Sequence, residues 1–288
     1  MNARLTRNLL TVATATATLF SAGSAMASAK SDFNADGKAD IIWRHQPADA
    51  LHIWYMSGET YIGGAALQVT GSTLWDVQTV GDFNGDGKPD LGLRNTSTGE
   101  NHIWVGYGPA STTQFFSAVA TTTVLDQNWK MSGAGDFNWD GYDDLVWRNY
   151  STGAVQLWYM KGASVVSRVN LPAVTDTKWY LGGVADFDNN GYPDLVWQNL
   201  TTGQNQLWMM DGTGGTTISS IKSLPTSSVP AMRPEAVADY TGDGCIDILR
   251  RNSTTGANEL WVFDCTINRV RVAPVGAVTD LNWKIGVH

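Results

Sequence analysis

The chain has 288 residues, a formal charge of −8, two cysteines and thirteen tryptophans. An acidic balance of this size argues against nucleic acid and against anionic membrane surfaces as partners. Much of the acid is gathered into five short loops, which suggests bound cations rather than a solvated acidic face.

The first element is a targeting segment. Arg4 and Arg7 form a basic region, residues 9–22 are apolar or small and uncharged, and Ala25-Met26-Ala27 is an A-x-A cleavage site, with Ala27-Ser28-Ala29 as a second. The apolar run is shorter than a membrane span needs. Residues 1–29 are read as a secretory signal peptide, with an uncleaved anchor as the alternative. The mature chain, residues 30–288, is read as one domain, extracellular or periplasmic and monomeric, with no membrane insertion. Losing Arg4 and Arg7 with the leader takes the formal charge from −8 to −10.

From Asp32 onward the chain is built of repeats. A nine-residue loop of pattern D-x-N-x-D-G-x-x-D begins at Asp32, Asp82, Asp136, Asp186 and Asp239, with spacings of 50, 54, 50 and 53 residues. Its oxygen-bearing positions 1, 3, 5 and 9 are Asp32, Asn34, Asp36 and Asp40 in the first copy. They are Asp82, Asn84, Asp86 and Asp90 in the second, and Asp136, Asn138, Asp140 and Asp144 in the third. The fourth has Asp186, Asp188, Asn190 and Asp194; the fifth has Asp239, Thr241, Asp243 and Asp247. Oxygen side chains at alternate positions can converge on one centre, the glycine at position 6 allows a sharp turn, and position 9 is expected to close the shell. Hard oxygen ligands with several negative charges suit Ca²⁺ better than a transition metal, so up to five structural Ca²⁺ ions are expected. With Thr at position 3, the fifth site is expected to be the weakest. The alternative is five turns whose Asp and Asn only cap the backbone.

Fourteen residues after position 9 stands Trp54, Trp104, Trp158, Trp208 or Trp261. Trp75, Trp129 and Trp179 lie seven residues before the next loop, and Trp283 occupies the same place near the chain end. Trp43, Trp147 and Trp197 form a third set, which leaves Trp139 alone outside the repeat. Between the loops the segments are short and strand-like: in the second unit WDVQTVG (75–81), LGLRN (91–95), NHIWV (101–105) and TQFFSAVA (113–120), joined by Gly, Ser, Thr and Asn turns. Four strands per unit of about 50 residues make a β-propeller blade. The mature chain starts almost in a loop and ends in a leading strand, LNWKIGVH (281–288). The fold class predicted is all-β: five blades of four strands, the C-terminal strand completing the first blade and removing open sheet edges.

The two cysteines, Cys245 and Cys265, flank a predicted hairpin that turns at residues 252–256. That places them opposite each other, so a disulfide is expected, with two free thiols as the alternative. The repeat resembles the FG-GAP or VCBS repeat of integrin α-chain propellers and many secreted bacterial proteins. The resemblance implies that the loop joins the first two strands of each blade and binds Ca²⁺ structurally. Integrin-type propellers have seven blades, whereas this chain has five.

No nucleophile triad, zinc spacing or phosphate loop stands out, and no enzymatic activity is expected. His52 and His102 share a repeat position with Gln156, Gln206 and Glu259. The freer aromatics are Trp139, Tyr142, Tyr150, Tyr180 and Tyr192. The first reading is a secreted Ca²⁺-binding module for binding or adhesion, directed to a glycan or a cell-surface protein. A glycan is expected on the rim opposite the loops, near Asp126, Asp176 and Asp280 of the blade linkers and near Arg148 and Gln198. The alternative is a structural or protein-interaction propeller without a glycan ligand, and a polysaccharide-degrading enzyme is the third reading. Asn95, Asn149, Asn199 and Asn252 each open an N-x-S/T sequon and also start a hairpin turn.

Overall fold

A computed structural model describes residues 30–107 and 115–286. The expected signal peptide lies outside the described residues. The chain forms five four-stranded antiparallel sheets. In blade two, Trp75–Gly81, Asp90–Asn95, Asn101–Tyr107 and Phe115–Thr121 run from the axis outward in chain order. Blades three, four and five begin with Trp129–Gly135, Trp179–Ala185 and Met232–Ala238. Blade one is composite: Trp283–Ile285 pairs antiparallel with Ile41–His45, followed by Ala50–Ser57 and Thr60–Ala66. The chain end thus closes the ring, as the arrangement of the repeats predicts.

The second strands are buried almost throughout, as in Asp144–Asn149 (DLVWRN) and Asp194–Asn199 (DLVWQN). Such strands face a neighbouring blade on each side, so they read as almost continuous apolar runs. The outer strands alternate or face solvent, as Ser164–Leu171 does. The core lies between blades. One cluster joins Phe137, Val146 and Leu157 of blade three to Trp197 and Trp208 of blade four. The repeated Trp pairs meet inside such clusters: Trp197 and Trp208 have ring centroids 5.0 Å apart in this one, and Trp147 and Trp158 4.7 Å apart in the cluster between blades two and three.

The innermost strands set the shape of the axis. Near the acidic loops they carry small residues, and a side chain added there would collide with the next blade. A Cβ at Gly182 would meet the carbonyl oxygen of Pro234 at 2.8 Å, and one at Gly81 would meet the Ala134 Cβ at 2.9 Å. At the other end the same strands carry Asp76, Lys130, Tyr180, Arg233 and Lys284. The axis is therefore tight at the loop rim and opens as a funnel at the opposite rim.

Candidate functional site

Each acidic loop is wound around its own carboxylates. In the second loop, Asp82 Oδ1 accepts the N–H groups of Gly85 (2.8 Å) and Asp86 (3.1 Å), and Oδ2 accepts that of Gly87 (2.7 Å). Asn84 Oδ1 accepts Asp86 N–H and Asp86 Oδ1 accepts Lys88 N–H. The glycine at position 6 has φ between +79° and +92° in all five loops. Position 4 is left-handed as well, which the consensus did not signal, because Ala35, Trp139 and Asn189 occupy it at φ +57° to +61°. The fifth loop keeps the Asp239 and Asp243 bonds, but the Thr241 hydroxyl is buried without a hydrogen-bond partner.

Position 9 does more than the sequence suggested. Asp90 is fully buried; its Oδ2 accepts Phe83 N–H (3.0 Å) and its Oδ1 accepts Gly106 N–H (2.8 Å) from the third strand. Asp40, Asp144, Asp194 and Asp247 each bind the third strand in the same way. These carboxylates clamp the loop to the blade, whether or not they also face an ion. Burial pushes all five up to about 7; their backbone donors pull the other way, and the loop carboxylates beside them add to the rise. In the fourth loop, Asp186, Asp188 and Asp194 bring carboxylate oxygens within 4.8 Å of one another, the tightest acidic group among the described residues. The donor set is wholly oxygen and fits a hard cation. Position 2 was missed: Phe33, Phe83, Phe137, Phe187 and Tyr240 are buried plugs between blades, legible only as an aromatic after each leading Asp.

At the opposite rim the structure corrects part of the expected glycan site. Arg148 and Gln198 are fully buried. Arg148 donates to the carbonyls of Gly153, Val174 (2.9 Å) and Trp179 (3.3 Å), and Gln198 donates to that of Met232 (3.0 Å). Neither can reach a ligand on the rim. Arg94 and Arg251 repeat the Arg148 pattern and lie over the Trp of the following blade, Trp147 at 5.5 Å and Trp43 at 5.0 Å. This Arg, four residues past position 9, is therefore a tie between hairpin turn, linker and neighbouring blade. The linker Asp residues cap turns. Asp126 accepts Asn128 N–H and Asn149 Nδ2, Asp176 accepts Lys178 N–H and Asn199 Nδ2, and Asp280 accepts Asn282 N–H and faces His45 Nε2 at 3.1 Å. They stay at the surface, each with its oxygens already engaged.

The free space lies on the axis. A funnel of about 610 Å³ opens on the hairpin rim, with Asp76, Lys130, Tyr180, Arg233, Glu235 and Lys284 among its walls. Tyr180 donates to Glu235 Oε2 (3.3 Å). Burial pushes the Tyr180 hydroxyl well above the usual phenol range, with the Glu235 charge adding to the rise, and pushes Tyr150 up to about 12. These two tyrosines are thus funnel residues rather than surface aromatics. Trp139 lies on the loop rim, 60% exposed, stacked on Tyr192 at 4.6 Å with its Nε1 donating to Gly191 O (2.7 Å). Cys245 and Cys265 are joined in a disulfide with Cα atoms 4.9 Å apart.

Five blades built around one acidic loop define a repeat β-propeller. The FG-GAP-like repeat model matches residues 32–93, 82–147, 136–197 and 186–250, and the chain belongs to that family. No curated protein matches it. Among solved structures it is similar to a Bacteroides caccae protein of unknown function, at 10% identity over 81% of this chain and 72% of that one, TM-score 0.42. It is also similar to a chain of a nidogen/laminin complex, at 10% identity over 81% and 92%, TM-score 0.43. A Bacteroides fragilis protein provisionally named a 6-phosphogluconolactonase is similar at 14% identity over 84% and 69%, TM-score 0.41. Among the described residues no helix is long and apolar enough to cross a membrane.

Proposed function

We propose that the chain is a secreted Ca²⁺-binding propeller that works as a binding module, with a carbohydrate as its ligand class. The observation that supports this reading is the loop itself, built five times with oxygen side chains at positions 1, 3 and 5 and a left-handed glycine at position 6, and in the fourth copy carboxylate oxygens of Asp186, Asp188 and Asp194 lie within 4.8 Å of one another. When bound, Ca²⁺ would neutralise carboxylates that otherwise repel at each loop. The residues that would hold it are those at positions 1, 3 and 5, with the position 7 carbonyl and position 9 behind them. The metal takes no part in chemistry and fixes the rim, so recognition falls to the opposite rim and the axis.

Calorimetric titration of Ca²⁺ into the chelator-treated mature chain, followed by a glycan array on the loaded protein, tests both halves. Saturable uptake near five ions and binding to a related set of sugars are expected. An unchanged melting temperature under chelation, with no heat of Ca²⁺ uptake, would sink the metal half. A blank array with folded, loaded protein would overturn the carbohydrate half and direct the search to protein partners by pull-down. N-terminal sequencing of the exported chain should begin near Ser28 or Lys30.

A further inference from the structure

The repeat fails at one position. The second residue of each innermost strand faces the funnel, and it is Asp76, Lys130, Tyr180, Arg233 and Lys284 in successive blades. The Trp positions and the buried second strands, by contrast, keep nearly the same residues from blade to blade. A position that holds an acid, a phenol and three basic side chains around a shared cavity is not doing common scaffold work.

The charges there are unbalanced. Lys130, Arg233 and Lys284 converge on the funnel, and none of them forms an ion pair among the described residues. Other basic side chains do have carboxylate partners, such as Lys30 with Asp143 and Arg271 with Glu59. Lys130 and Arg233 are half-buried and Lys284 is exposed; Asp76 faces Lys130, but the cations of the funnel outnumber its two carboxylates, Asp76 and Glu235. The funnel also offers acceptors: Asp76, the Glu235 carboxylate, and the Gln127 amide, whose oxygen and nitrogen are both buried without a hydrogen-bond partner. A volume of about 610 Å³ lies in the range of small-ligand sites.

We propose that the axial funnel binds a small carboxylate-bearing, hydroxyl-rich ligand of the uronic-acid class. Lys130, Lys284 and Arg233 take the carboxylate, while Asp76, Glu235 and Gln127 take hydroxyl groups. This deepens the carbohydrate-binding reading and rests on it. The Lys130 ammonium is held below the ordinary lysine range by burial and then by the Arg94 cation, with Asp76 opposing and Lys284 adding to the fall; an anion in the funnel would relieve the repulsion that is left. A cationic recess in a chain of formal charge −8 favours a small anion over a long polyanion, which the acidic surface would repel.

The test is calorimetry of the Ca²⁺-loaded mature chain with D-galacturonate, D-galactose, galactose 6-phosphate and inorganic phosphate. Galacturonate should bind at least about tenfold more tightly than galactose, a difference of about 1.4 kcal/mol. The Lys130→Met/Lys284→Met double variant should lose that margin. Lys222→Met, on an outer strand where its ammonium bonds Thr266 O, should keep it. Folding is checked by melting, and Lys284→Glu provides a second variant that should also abolish uronate binding. Equal binding of acid and neutral sugar, no binding of either, or an unaffected double variant would overturn the proposal. Binding of the two phosphates without galacturonate would overturn the carboxylate class. Preference for a neutral sugar would overturn the charge assignment yet leave the carbohydrate-binding reading intact, whereas that reading fails only on a blank glycan array.

Discussion

Arg148→Gln is the sharpest test of how the ring is held together. Arg148 is fully buried and donates to three carbonyls, from its hairpin turn (Gly153), its outgoing linker (Val174) and the first strand of the next blade (Trp179). Its guanidinium also lies 5.1 Å from the Trp197 ring of that blade. Hydrogen bonds to a charged group contribute about 1.5–3 kcal/mol each, but the desolvation of the buried cation offsets part of the sum. Glutamine is shorter and, if it bonds as Gln198 does, with one carbonyl, two of the three lose their donor, and a net loss of about 3 kcal/mol is expected. For a ring of this size that corresponds to a fall in melting temperature of roughly 6–12 °C. Denaturant unfolding at saturating Ca²⁺ measures it. Arg148→Lys should lose nearly as much, because the charge survives but the fork does not. Blade four provides the counter-case, since Gln198 fills the same position with one bond, to Met232 O at 3.0 Å. A loss below about 1 kcal/mol for Arg148→Gln would mean that blade four's arrangement serves equally well, and the tie would not be energetic.

Further outcomes are expected. Chelation should lower the melting temperature, since a site loaded at 100 times its Kd contributes about 2.7 kcal/mol, and Thr241→Asn should tighten the fifth site in a Ca²⁺ titration. In chelator, stability should fall as pH rises from about 4 towards 7: the position 9 carboxyls, raised from 3.8 to about 7 by burial, favour the folded state when protonated, and that stability is lost as they ionise. A pH-independent melting curve in chelator would refute this. Replacing both Cys245 and Cys265 by Ser releases a loop 20 residues long, and denaturant unfolding should show a loss of about 3 kcal/mol. Mass spectrometry of the chain from a glycosylating host should show Asn149 and Asn199 unmodified, because both are buried and their amides are bound to Asp126 and Asp176.

Blade number, strand order and ring closure were legible because repetition turns a weak strand signal into a strong one. One DLVWRN is ambiguous, but several copies after the same loop define a buried second strand. The five acidic loops were legible for the same reason. The buried Arg was not, because Arg94 and Arg148 read from sequence as surface charges, and only the fold shows the turn and linker carbonyls closing around them. The funnel was missed for the opposite reason. Its residues come from all five innermost strands and do not follow a repeat type at their shared position, so a search for repeated features passes over them.

The fifth loop shows how the ring accommodates a departure from its own rule. Thr241 replaces the amide or carboxylate oxygen found at position 3 elsewhere with a hydroxyl that finds no partner. In the same loop, Cys245 stands at position 7 and is bonded to Cys265, just past the third strand of that blade. The other four loops have no such tie; they have Lys38, Lys88, Tyr142 and Tyr192 at position 7. A covalent link from loop to blade restricts the loop whether or not an ion is present, which is the work the oxygen shell is expected to do elsewhere. The loop expected to hold an ion least well is thus the one tied by a disulfide, which fits two routes to one requirement: each blade must hold its first turn rigid, because the next blade packs on the aromatic at position 2.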